Sequence, residues 1–351
     1  MQITFLIGNG FDLNLGLKTR YKDFLEYYPS TEPLDYVNKN AIDRFKKDIQ
    51  KDIETWADAE KAFGFYTEKM YNDGYTANDF CDCHEDFCKK LADYLSEEQK
   101  KIDFSNDEDQ IPNIFAEAIA FDNLKKHFRM EQREQLEKAS NNFKDGFHYN
   151  FIVFNYTNTV DKCFELARKK ANLGRRKYGR ETFINGFGQL IHVHGTVNRN
   201  MVLGVNDLSQ IKAPELFQGT PEENINQIIK RNTNEMYEEH TDSQVLELLN
   251  KSNLIYIYGM SIGDTDKIWW ERIIDLMKSN SSIHLIIYRI DKVEDELMRR
   301  RVKTFENEVK EHFLENQELT DQQRRKLQSQ IHIDGLNIFE GLKDLGKVFE
   351  V

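Results

Sequence analysis

Four short, unbroken apolar runs constrain this chain more than any other feature. They are Ile3–Ile7, Phe151–Phe154, Leu254–Tyr258 and Ile283–Tyr288. Runs of this length that do not alternate with polar residues read as strands buried on both faces, the habit of parallel sheets. Each leads through a turn into apolar residues at helical spacing, which gives the order of βα units. The expected fold class is therefore α/β: a doubly wound, mostly parallel, Rossmann-like sheet. No run approaches the roughly 18–20 apolar residues that span a bilayer, so no membrane segment is expected.

About 140 residues separate the first two runs, far more than the dozen or so that a crossover requires. Helical patterns over Asp43–Ala57, Asn78–Tyr94 and Ile114–Ala139 fill the gap, and Asp103–Asp109 reads as a solvated acidic loop. The expected division is a core of residues 1–16 and 148–290, with a helical insertion over 17–147. Residues 207–250 are expected to make a smaller helical insertion, on the pattern of Asn224–Leu249. Residues 291–351 are expected to be a helical extension, led by a long charged helix over Lys292–Phe313 and ending in a short apolar segment, Ile331–Phe339. Six of the 18 glycines fall between Gly174 and Gly204, marking loops and short strands.

Composition narrows the partners. Lys and Arg number 48 against 60 Asp and Glu, a net charge of −12. That balance opposes non-specific binding to nucleic acid. The first strand begins at once, without the basic flank of a signal peptide, and four cysteines do not make a disulfide scaffold. A cytoplasmic location is expected. Cys81, Cys83, His84 and Cys88 lie within one helical pattern and lack a second ligand pair, so no metal is expected there.

The chemistry collects just after the strands. Gly8-Asn9-Gly10 follows the first run, where glycines allow a sharp turn and let a phosphate approach backbone amides. The third glycine of a dinucleotide fingerprint is replaced by Leu13. Asp12 would repel phosphate, which leaves it a ribose hydroxyl, a helix cap or a chemical step. Asn155-Tyr156-Thr157-Asn158 follows the second run; Asn155 is placed to hold a ribose hydroxyl or orient a water, while Asn158 or Thr159 reads as a helix cap. In Ile191-His192-Val193-His194-Gly195, strand alternation puts both histidines on one face, one of them a candidate general base. Gly259-Met260-Ser261-Ile262-Gly263-Asp264-Thr265-Asp266 follows the third run and reads as a second ligand-lining loop, with one aspartate free to cap the next helix. All four motifs would gather at one edge of one sheet, where open α/β folds bind ligands.

Together these motifs resemble the AbiH-type bacteriophage abortive-infection family. The resemblance rests on Leu6-Ile-Gly-Asn-Gly-Phe-Asp-Leu13, Gly16-Leu-Lys-Thr19, Tyr21-Lys-Asp-Phe24, Trp56-x-Asp58-x-Glu60, Phe154-Asn-Tyr-Thr157, His194-Gly195 and Gly259–Asp264. The same ordered set is distantly similar to the sirtuin-like NAD-binding fold, without its paired Cys-x-x-Cys zinc ribbon. That resemblance implies NAD as substrate or ligand. It implies Asn155 on ribose or water, His194 as base, and Gly259 and Ser261 closing the site. On this reading Asp12 joins Asn155 and His194 as catalytic. Gly8, Asn9, Gly10, Thr157, His192, Gly259, Ser261, Asp264 and Asp266 would hold the ligand. The implied activity is hydrolysis of an N-glycosidic bond in anti-phage defence. A nucleotide sensor without turnover stays open, as does a metal-dependent nuclease built on Asp12, Asp58, Glu60, His192 and His194. The expected partner is a nucleotide; a phage-derived trigger and a homo-oligomer are left open. The insertion is expected to lid or restrain the site.

Overall fold

The computed structural model describes residues 1–236, 240–290, 299–315, 317–343 and 345–346. Its strands are β1 (Gln2–Ile7), β2 (His148–Val153), β3 (Arg175–Tyr178), β4 (Glu181–Ile184), β5 (Gly186–His192), β6 (Leu254–Tyr258), β7 (His284–Tyr288) and β8 (Ile331–Asp334). Among the described residues, six of them form one sheet in the order β5-β2-β1-β6-β7-β8, while β3 and β4 make a separate hairpin. Every neighbouring pair in the large sheet is parallel. Numbered within that sheet, the order is 3-2-1-4-5-6, the Rossmann order. It reverses between β1 and β6, and the ligand crevice of such a sheet opens beyond the C-terminal ends of those two strands.

The apolar runs fold this way because both faces of the sheet are covered. Ile3, Phe5, Ile7, Phe151 and Tyr256 face helices Ile111–Ile119 and Thr159–Lys170. Leu6, Ile152, Ile255 and Ile257 face helices Thr241–Lys251 and Lys267–Ser279. Each fully buried side chain of this kind contributes about 1.5–3 kcal/mol relative to exposure.

A third core lies over the crevice. Phe24, Tyr28, Phe45, Trp56, Phe63, Phe80 and Phe87 pack together, joined by Leu203, Val205, Ile211, Phe217 and Ile228 from far along the chain. Its helices are strongly punctuated. Asn38 caps Lys39–Lys51, Asp58 caps Ala59–Asn72, and a Thr76–Asp79 capping box opens Ala77–Gln99.

Several expected boundaries change. The insertion over 17–147 divides: its first helices build the cap, whereas Ile111–Ile119 and Phe121–Leu124 pack on the sheet. The expected helix Ile114–Ala139 is broken into those two and Met130–Ser140. Residues 207–250 divide likewise, because Ile211 to Ile229 join the cap while Val245, Leu248 and Leu249 cover the sheet. The segment 291–351 is not purely helical: Ile331–Asp334 pairs with β7 as the edge strand. Of the long charged helix, Arg299–Leu314 is helical, and 292–298 lie outside the described residues. Among the described residues no helix is long and apolar enough to cross a membrane.

Candidate functional site

The two glycine loops at the switch point lock together. A Cβ on Gly10 would lie 2.3 Å from the Gly259 Cα, and Gly259 itself sits at φ 65°. Both must be glycine for backbone to pass backbone. The Gly8 amide donates to the Tyr258 carbonyl (2.9 Å), the Gly10 amide to the Gly259 carbonyl (2.8 Å) and the Phe11 amide to the Gly8 carbonyl (3.0 Å). These three amides are spent within the fold and are withdrawn from the expected phosphate cradle, and the helix that follows, Gly10–Asn14, is only five residues long. Asn9 serves the same packing. Its Nδ2 donates to the Thr19 carbonyl (2.9 Å) and its Oδ1 accepts from the Thr19 hydroxyl (2.6 Å), pinning the 16–22 strap against the loop.

Asp12 is buried under this loop. It accepts from the Thr157 hydroxyl at 2.6 Å and from the Thr159 hydroxyl at 2.5 Å. Burial pushes its carboxyl up to about 6, while Thr157, Thr159, the neighbouring Asn155 amide and His192 pull the other way. Thr159 is thus a partner of Asp12, and Asn158 makes no side-chain cap.

The two histidines part company. The β2–β5 pairing ends at His192, and Gly195 turns the chain at φ 66°. Strand alternation therefore stops before His194, and the expectation of one shared face is corrected. His192 Nε2 lies 2.8 Å from Asp161 Oδ2 on helix Thr159–Lys170, and its Nδ1 lies 3.1 Å from the Asn155 carbonyl. His194 turns to the opposite side of the sheet, where its Nε2 lies 3.2 Å from Asp266 Oδ1. Asp266 precedes helix Lys267–Ser279 but does not cap it with its side chain.

A chain of charge continues from that pair. Lys230 Nζ lies 3.4 Å from Asp266 Oδ1 and 2.6 Å from Glu60 Oε2, and all three side chains are largely buried. Burial alone would raise the Asp266 carboxyl, but Lys230 and His194 hold it well below the usual carboxylate range. Burial alone would lower Lys230, but Asp266 and Glu60 hold it above its ordinary value. The Tyr21 and Tyr156 hydroxyls each lie 3.2 Å from Glu60 Oε1.

Asp12, Glu60, Tyr21, Tyr156, His194 and Asp266 line a cavity of about 650 Å³ between the sheet edge and the cap, with Lys230 behind its wall. Of the expected site residues, Gly8, Asn9, Asp12, Asn155, Thr157, His194, Gly259, Ser261 and Asp266 line it. Three do not. Gly10 packs on Gly259, His192 is taken by Asp161, and Asp264 turns away to pair with Lys61 at 3.2 Å. Among the described residues, both polar atoms of the Asn155 amide, and Nδ1 of His194, are buried without a hydrogen-bond partner. Such atoms are uncommon in folded proteins and ask for a ligand or water.

The sequence reading missed Lys230, Tyr21 and Tyr156 as site residues. Lys230 carries a weak signal: the buried positions of helix Lys230–Met236 are Lys230, Thr233 and Asn234, a polar set at core spacing. In the Trp56, Asp58 and Glu60 piece, Trp56 packs against Phe45 and Phe63, Asp58 caps a helix, and Asp58 and Glu60 both line the cavity. Among the described residues no group of three or more His, Cys, Asp or Glu could hold a metal ion.

Comparison with known proteins adds one finding. The family model described as Bacteriophage abortive infection AbiH matches residues 4–288. No curated protein and no solved structure matches the chain.

Proposed function

The chain belongs to the bacteriophage abortive-infection family AbiH, and from that premise we propose that it is an anti-phage hydrolase that cleaves the N-glycosidic bond of NAD or an ADP-ribosyl compound. One observation carries the reading. At the switch-point crevice of a Rossmann-ordered sheet, the Asn155 amide and His194 Nδ1 stand buried and unpaired on one cavity. The cavity's volume of about 650 Å³ falls within the roughly 300–1,000 Å³ usual for small-molecule sites.

The chemistry asks little beyond positioning. The glycosidic C–N bond breaks with its electron pair leaving on the base, through an oxocarbenium-like state, and water adds to the ribosyl carbon. Asp266 only accepts hydrogen bonds, so the His194 ring hydrogen sits on Nε2 and the Nδ1 lone pair is left for the water's proton. The Asn155 amide orients that water or a ribose hydroxyl. Asp12, which lines the same cavity, offers a carboxylate for a developing positive charge, since Asp266 is committed to Lys230 and His194. With the glycine-loop amides spent, a diphosphate would meet the side chains of Arg20 and Lys22 on the strap. Cap residues Leu91 and Leu95 wall one side of the cavity.

The test is NAD consumption by the purified chain, with Asn155→Ala alongside. Release of nicotinamide by wild type and its loss in the variant are the expected results. Intact NAD together with no thermal stabilisation by NAD or ADP-ribose would overturn the proposal. Stabilisation without turnover would transfer it to the sensor.

A further inference from the structure

Glu60 and Lys230 have no part in the bond cleavage outlined above, yet they are among the most deeply buried charges of the molecule. They come from distant places. Glu60 lies on cap helix Ala59–Asn72, and Lys230 begins helix Lys230–Met236. They meet at 2.6 Å, and Lys230 then reaches 3.4 Å to the same oxygen, Asp266 Oδ1, that His194 Nε2 approaches at 3.2 Å. One carboxylate oxygen thus serves both a lysine and the candidate base. Lys230 also donates to the Thr265 carbonyl at 2.9 Å, fixing the backbone that carries Asp266.

We propose that Lys230 is a positioning residue for His194: by holding Asp266 and balancing its charge, it sets the ring's orientation and proton affinity, and Glu60 makes this depend on the seated cap. This deepens the hydrolase reading and rests on it for its purpose, though not for its test. Charged and titratable groups stand around the ring on several elements, and a second cavity that His194 shares with Lys230 is also lined by Lys61, Asp242, Asp264 and Lys267. Asp266 comes from the loop after β6, Lys230 from its helix, and Glu60 lies behind Lys230. Tyr156 stands with its ring centroid 6.5 Å away, and Phe154 packs at 5.6 Å without charge. Lys61 and Asp264 form an exposed pair nearby that joins the same cap helix to the same loop.

The signs follow from the order of charges. Removing the lysine leaves Asp266 and Glu60 uncompensated, which favours the protonated ring. Removing the Glu60 charge leaves Lys230 stronger, which favours the neutral ring. A merely structural role would not move the two variants in opposite directions.

The experiment is an NMR titration of the full chain carrying labelled histidine, with the His194 signal assigned by its loss in His194→Gln. The expected results are a titration midpoint raised by about one pH unit or more in Lys230→Met, lowered in Glu60→Gln, and restored toward wild type in Lys230→Arg. An unmoved midpoint in a folded Lys230→Met or Glu60→Gln would overturn the proposal. Should those variants not fold, the wild-type ring decides: a hydrogen on Nε2, facing Asp266, is expected, and a ring bearing its hydrogen on Nδ1 alone would overturn the proposal. No substrate enters these measurements, so a failure to consume NAD would leave them standing.

Discussion

Where β5 runs out, the chain presents two histidine–aspartate pairs two residues apart, and they are built to different ends. At His192 both ring nitrogens face acceptors, the Asp161 carboxylate at 2.8 Å and the Asn155 carbonyl at 3.1 Å. At His194 one nitrogen meets Asp266 and the other has no hydrogen-bond partner among the described residues. The first pair is complete and lies off the cavity. The second is incomplete and lines it. The lesson is that residue type and spacing made the two look alike, and only the count of satisfied atoms separates scaffold from site.

The comparison can be broken most forcefully at Asn155, which shares the open condition of His194. Asn155→Ala is expected to reduce nicotinamide release by about 100-fold or more. Because the amide lacks partners, the thermal melt should stay within a few degrees of wild type. A large fall in melting temperature with activity retained would make Asn155 scaffold after all.

Asp12 sharpens the contrast through pH. Its carboxyl is raised from 3.8 to about 6 by burial, so the folded state disfavours the ionised form. The penalty is absent below the unfolded value, grows as pH rises from about 4 to 6, and is constant above. Such a rise amounts to about 3 kcal/mol. Asp12→Asn is expected to flatten urea-measured stability across that window and to be more stable than wild type at pH 7. An unchanged slope would show that Asp12 does not carry the penalty.

The complete pair should behave in the opposite manner. Asp161→Ala is expected to cost about 1–3 kcal/mol of stability, the price of an unsatisfied, largely buried partner, while activity falls by less than about tenfold. Smallest of all is the exposed Lys61–Asp264 bridge between cap and loop. Lys61→Ala is expected to change stability by less than about 1 kcal/mol, read by the same urea melts.

What was legible in the sequence follows the range of the interactions. The strands were visible because burial on both faces leaves unbroken runs such as Leu254–Tyr258, and the gathering of motifs at one sheet edge follows from parallel topology. Asn155 and His194 were found because they sit beside strand ends. The cap's limits were hidden because Phe63 and Phe80 pack with Leu203 and Phe217, more than a hundred residues away. Lys230 was hidden because its meaning lies in Glu60 and Asp266, neither of which is near it in the chain. The glycine loops were seen, but not that they pack on one another: Gly8 and Gly10 lie against Gly259, which is some 250 residues away in the chain.

The most direct test of the account sets the two histidines side by side in one nicotinamide-release assay. His194→Gln is expected to lose activity by about 100-fold or more while His192→Gln keeps it within about tenfold. Equal losses in the two variants, or the greater loss in His192→Gln, would contradict the claim that the unsatisfied nitrogen marks the working one.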